Sequence, residues 1–166
     1  EKDSFMEYEL LDPYITELQK LKSKYAPFIK INIGLEVDYI LGFEEATKQL
    51  LNKVGHHLDD SILSVHFLLH QKKYECIDYS PEHFNKFVGV VGSLRLVYEN
   101  YYDTVRQSIY ADLGTYKPRR IGHPTLVHKF QYSHKEIFDD HDLIIRTLQE
   151  IKGRQYEIDL NSAGLG

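Results

Sequence analysis

At 166 residues, 42% hydrophobic and 27% charged, the chain has the composition of an ordinary globular protein and a length that usually means one domain. No apolar run approaches the roughly 20 residues needed to span a bilayer, and Glu1-Lys2-Asp3-Ser4 lacks the basic-then-apolar order of a secretory leader, so no membrane partner is expected. Twenty Lys and Arg stand against 25 Asp and Glu for a net charge of −5, with basic residues scattered except at Lys117-Pro118-Arg119-Arg120, which leaves nucleic-acid binding without an electrostatic footprint. One cysteine, Cys76, has no internal disulfide partner, which fits a cytoplasmic location. The first residue is not Met, and processing or a fragment is the expectation.

In chain order, Asp12-Pro13 has the form of a cap followed by first-turn proline, and Ile15, Leu18, Leu21 and Tyr25 recur at helical spacing, predicting a helix from Asp12 to Lys24. Phe28 to Glu36 carries Ile29, Ile31, Ile33 and Leu35 on one side and reads as a mostly buried parallel strand. Phe43 to Val54 is a second helical stretch, stopped by Gly55. Asp59-Asp60-Ser61 leads into a strand ending at His66.

Pro81 to Leu113 keeps a three-to-four rhythm from Phe84 to Ile109, with Gly89 and Gly92 predicted to split it and Ser93 to cap the second half. Arg119 to His123 is a short strand, Lys135 to Lys152 the last helix, and Tyr156 to Leu160 the final strand. Strands alternating with helices call for an α/β fold with a parallel sheet and right-handed crossovers. Four strands are too few to close a barrel.

Three strand ends carry groups suited to metal chemistry. Glu36 closes Ile31-Asn32-Ile33-Gly34-Leu35-Glu36 with Asp38 two residues on, so both carboxylates can face one way; a bridge between cations, a salt bridge or a helix cap would all fit Glu36. His66 follows Ile62-Leu63-Ser64-Val65, where a buried imidazole needs either hydrogen bonds or a metal. His123 follows Gly122, whose missing side chain permits close approach of backbone or ligand. Together they make a nitrogen and oxygen set suited to zinc, iron or manganese. The remaining histidines have no ligand-like context.

Arg120 could grip phosphate bidentately or belong to a solvated basic turn. Asn161 and Ser162 offer neutral donors and acceptors for a substrate, or form an ordinary polar loop. Cys76 has no nucleophile motif around it, and the chain contains no Gly-rich phosphate loop, His-Glu-x-x-His helix or paired Cys-x-x-Cys.

Taken in order, Gly34-Leu35-Glu36-Val37-Asp38-Tyr39, Asp59 through Phe67, Tyr116-Lys117-Pro118-Arg119-Arg120-Ile121-Gly122-His123 and Glu157 through Leu165 resemble successive motifs of the PHP-type histidinol-phosphatases. The resemblance implies part of a distorted (β/α)7 TIM-like barrel, a single domain over residues 1–166 that is incomplete at both ends, because the family's amino-terminal His-x-His and carboxyl-terminal Asp-x-His motifs are absent. It implies two or three divalent ions (Zn, Mn or Fe), with Glu36, His66 and His123 as metal ligands and Arg120 as the catalytic group holding the phosphoryl. The implied reaction is hydrolysis of L-histidinol phosphate in histidine biosynthesis, with another small phosphate ester or a non-catalytic scaffold as alternatives. Exposed parallel sheet edges would favour a homo-oligomer, an expectation that a monodisperse monomer in sedimentation analysis would remove.

Overall fold

The computed structural model describes residues 5–134 and 136–160. Helix α1 (Leu11–Tyr25) leads through an irregular segment to strand β1 (Glu36–Asp38), followed by helix α2 (Glu44–Val54) and strand β2 (Ile62–Ser64). A hairpin of β3 (Phe67–His70) and β4 (Lys73–Cys76) precedes helices α3 (Pro81–Val91) and α4 (Leu94–Tyr110). Strand β5 (Arg120–Ile121), helix α5 (His141–Gly153) and strand β6 (Glu157–Ile158) complete the order.

The four strands β1-β2-β5-β6 form one parallel sheet, joined by helical crossovers as the sequence predicts. Its register explains where polar groups go. Val37, Leu63, Ile121 and Ile158 align in one row, and the first three of these are at most 5% exposed in a core shared with Leu51, Tyr101, Val105, Ile109 and Ile151. Side chains alternate faces along a strand, so the neighbouring row, Glu36, Ile62, Arg120 and Glu157, points to the opposite face. That face holds the candidate chemistry, while the helices cover the other.

Helix α4 is set by its caps. Gly92, at φ 105°, ends α3 in the left-handed conformation, and the Ser93 hydroxyl accepts the Leu96 amide at 3.2 Å. Gly89 does not break the helix as predicted; α3 runs through it. At the far end α4 stops at Tyr110, three residues short of Leu113. There the Lys117 ammonium donates to the carbonyls of Ile109 (2.8 Å) and Ala111 (2.7 Å), satisfying orphan acceptors of the last turn.

Three further expectations are corrected. The strand predicted from Phe28 begins only at Glu36; Phe28 is 85% and Ile29 59% exposed. The reason is local. Ile33 donates its amide to Asp59 Oδ2 (2.8 Å) and accepts from the Asp59 amide (2.7 Å), and the Leu35 amide donates to Ser61 Oγ (3.0 Å), so the 59–61 turn takes groups a ladder would need. The helix expected from Lys135, a residue outside those described, begins instead at His141, because the Asp140 carboxylate is drawn inward to Tyr102 and His128 at 2.7 Å each. The antiparallel hairpin was not anticipated at all: its two-residue turn is Gln71-Lys72, both at positive φ, without the Asn-Gly or Asp-Gly signal that usually marks such a turn.

Candidate metal centre

Glu36, His66 and His123 converge on one point. Glu36 Oε1 lies 2.9 Å from His123 Nε2 and 3.6 Å from His66 Nε2, and the two imidazole rings sit edge to face with centroids 4.9 Å apart. One donor atom from each residue falls within 4.8 Å of the others. Glu36 is the first residue of β1, whereas His66 and His123 each lie two residues past the ends of β2 and β5. The carboxyl ends of β2 and β5 open on one rim of the parallel sheet, and the Glu36 side chain, from the start of β1, reaches the two histidines there.

Glycines allow the strands to approach this closely. A Cβ on Gly122 would lie 2.2 Å from Ser64 Oγ, and one on Gly34 would lie 2.0 Å from the Asp60 carbonyl oxygen. Beyond Gly122, His123 adopts φ 24°, an uncommon conformation for a residue with a side chain. The fully buried Tyr101 holds it: its hydroxyl donates to the His123 carbonyl (3.1 Å) and accepts the Leu126 amide (3.2 Å).

His66 is anchored differently. Its Nδ1 is 2.5 Å from Asp38 Oδ1, and its carbonyl accepts the Ile77 amide at 2.9 Å. Burial works to strip His66 of its proton, but the Asp38 hydrogen bond and the negative charges of Asp38, Asp78 and Glu36 prevail and raise its pKa. Burial likewise opposes ionisation of Glu36. It is outweighed by the dipole of the neighbouring Ser64 hydroxyl, the hydrogen bond from His123 and the charges of His66 and His123, so the carboxyl stays below its ordinary value. Asp78, beside Cys76 and Lys129, is also held low despite burial, while burial and Asp78 push the Cys76 thiol up to about 11, where it is a poor nucleophile.

Two imidazole nitrogens and a carboxylate oxygen aimed at one another are the donor set of a zinc, iron or manganese site. Among the described residues His123 Nδ1 is buried without a hydrogen-bond partner, and its Nε2 faces Glu36 Oε1 at 2.9 Å, so a cation between them would take the place of that hydrogen bond. The fit is good.

The other predicted site residues are placed less simply. Arg120 shares the inward face with Glu36, one strand removed, but its guanidinium is engaged by Asp60 Oδ2 (2.9 Å) and Glu157 Oε2 (3.2 Å) and does not join the triad. Its Nε is buried with no partner among the described residues, leaving one donor of the fork unused there. Asn161 and Ser162 lie outside the described residues. Asp78, Lys129 and Tyr101 were not singled out from sequence, and nothing near them in the chain marks them; Asp38 was noted only for its spacing from Glu36.

The PHP domain profile matches residues 5–163. A histidinol-phosphatase of Bacillus subtilis (strain 168) is 43% identical over 99% of this chain and 62% of its own length. The crystal structure of the "putative histidinol phosphatase hisK" of Listeria monocytogenes superposes with a TM-score of 0.87 at 39% identity, covering 96% of this chain and 61% of that one. The chain thus spans about three-fifths of the length of the relatives it matches.

Proposed function

This chain belongs to the PHP domain family, and from that premise we propose that it is part of a metal-dependent phosphatase that hydrolyses L-histidinol phosphate to L-histidinol and phosphate. The observation that carries the reading is the convergence of Glu36, His66 and His123 on one donor point beside the carboxyl ends of β2 and β5, in a chain 43% identical to a protein named for that activity. The proposal includes a single barrel domain over residues 1–166, to which the four parallel strands contribute one sector, and a cytoplasmic location. Among the described residues no helix is long and apolar enough to cross a membrane.

The roles of the side chains follow from their chemistry. Glu36 and the Nε2 atoms of His66 and His123 would hold one of two or three divalent ions (Zn, Mn or Fe). A cation bound there supplies Lewis acidity toward a phosphoryl oxygen and makes water a competent nucleophile near neutral pH. Arg120 is the proposed phosphoryl clamp, since a guanidinium on the inward face can place paired donors on phosphate oxygens. To do so it would exchange part of its pairing with Asp60 and Glu157, or use the unpartnered Nε. Asn161 and Ser162 remain proposed contacts for the substrate.

The test is phosphate release from L-histidinol phosphate, with added zinc or manganese, by the protein expressed from its complete gene and by its Glu36→Gln and His66→Ala variants. Metal-dependent turnover that drops at least about 100-fold in both variants is expected, in line with loss of a group that stabilises developing charge. Turnover of a panel of other small phosphate monoesters in preference to histidinol phosphate would overturn the substrate assignment. No metal-dependent hydrolysis of any ester would overturn the enzyme reading.

A further inference from the structure

We propose that Asp38 is a positioning residue of the metal centre: it accepts the Nδ1 proton of His66 and thereby aims the Nε2 lone pair of that ring at the cation shared with Glu36 and His123. The inference rests on the reading of Glu36, His66 and His123 as metal ligands, and adds a residue that the ligand set does not contain.

The sheet register makes the placement specific. Asp38 pairs with Ser64 as Glu36 pairs with Ile62, so the two carboxylates of β1 share the inward face two residues apart, one reaching the near nitrogen of His66 and the other the far one. Asp38 Oδ1 is 2.5 Å from Nδ1, while Glu36 Oε1 is 3.6 Å from Nε2. An ionised carboxylate can only accept, so Nδ1 carries the proton and Nε2 is left with its lone pair toward Glu36. The backbone on both sides is tied down, by the Tyr39 amide to the Ser64 carbonyl (2.8 Å) and the Ile77 amide to the His66 carbonyl (2.9 Å), which fixes the Cα positions from which the two side chains meet.

The contrast with His123 supports the assignment. That ring has no partner on Nδ1 among the described residues and is located through its backbone by Tyr101. The two histidines are therefore held by different means: His66 has a carboxylate on Nδ1, the nitrogen away from Glu36, whereas the carboxylate beside His123 is Glu36 itself, on Nε2. A carboxylate behind a metal-bound imidazole fixes ring orientation and raises ligand basicity, and its removal typically costs about 10- to 100-fold in metal affinity.

The experiment is a zinc titration against a chromophoric chelator, together with the visible absorption of the cobalt-loaded protein, for wild type, Asp38→Asn, Asp38→Ala, His66→Ala and the Asp38→Ala/His66→Ala pair, with circular dichroism as the check of folding. We expect zinc affinity to fall about 10- to 100-fold in both Asp38 variants with altered cobalt bands, and Asp38→Ala to add nothing once His66 is gone. Asp38→Asn keeps the side-chain volume and serves if Asp38→Ala fails to fold. Unchanged affinity and bands in the Asp38 variants, with His66→Ala still weakened, would overturn the inference while leaving the metal centre standing. An equal loss with and without His66 would also overturn it, since Asp38 would then act on its own. If His66→Ala binds zinc as wild type does, the centre itself is misread and the inference falls with it.

Discussion

Gly34 lies two residues before Glu36, and its replacement tests whether backbone contact with the 59–61 turn places β1. An added Cβ would stand 2.0 Å from the Asp60 carbonyl oxygen and 3.1 Å from its carbon, so the two chain segments must part by about an ångström or more. The obstacle is backbone and cannot rotate aside. The same junction carries the hydrogen bonds from the Leu35 amide to Ser61 Oγ and from the Ile62 amide to the Leu35 carbonyl, both 3.0 Å, which the separation would stretch. Overpacking ordinarily costs about 1–3 kcal/mol, and with rigid backbone on both sides we expect about 3 kcal/mol for Gly34→Ala. Gly89 is the control: it lies in exposed α3 with nothing within 4 Å of an added Cβ, so Gly89→Ala should stabilise by about 0.5–1 kcal/mol through the helix preference for Ala. Urea unfolding of both variants beside wild type gives the two values. A Gly34→Ala midpoint within error of wild type would refute the claim that this contact sets the approach of β1.

Tyr102→Phe removes a hydroxyl that donates at 2.7 Å to Asp140, in a residue of which nothing is exposed. Because the acceptor is a buried carboxylate, the loss should be about 1.5–3 kcal/mol by urea unfolding, and an effect under ~0.5 kcal/mol would show that His128 alone satisfies Asp140. For pH, the raised pKa of metal-free His66 means the folded chain holds that proton more tightly than the unfolded one. Its stabilisation is therefore complete below the ordinary value of 6.5 and is lost as pH rises through the folded value. Urea midpoints measured in chelator from about pH 5.5 to 9, a window bracketing an ordinary histidine near 6.5, should show this decline in wild type and not in His66→Ala; equal slopes would refute it.

How much of this could be read from the chain depended on whether the controlling interaction was local. The break between α3 and α4 was legible because a glycine and a serine cap act within a turn of themselves, as Gly92 and Ser93 do. The start of β1 was not, because Asp59 and Ser61, some 26 residues away, decide that Ile33 and Leu35 stay outside the ladder. The start of α5 was hidden for the same reason: Tyr102 lies 38 residues from the Asp140 it draws inward. Hydrophobic periodicity reports which residues are buried and says nothing about which side chain will capture a backbone group.

The convergence of Glu36, His66 and His123 was legible despite these errors because it does not depend on strand length. Strands of two or three residues suffice if they are brought close, and the closeness is written into glycines that precede two of the candidate ligands, Gly34 before Glu36 and Gly122 before His123. Each occupies a place where a Cβ would fall about 2 Å from a neighbouring atom on the β2 side of the sheet, the Asp60 carbonyl or the Ser64 hydroxyl. Ser64 in turn is the register partner of Asp38 and the hydroxyl nearest in effect to Glu36, so the gap left by Gly122 is filled by the residue that links both carboxylates of β1. The positive φ of His123 costs of order 1–3 kcal/mol and is maintained by a hydroxyl from the core helix α4. A strained candidate ligand held by the buried core, next to one held by a carboxylate, is the arrangement expected of a site whose geometry is fixed before any cation arrives.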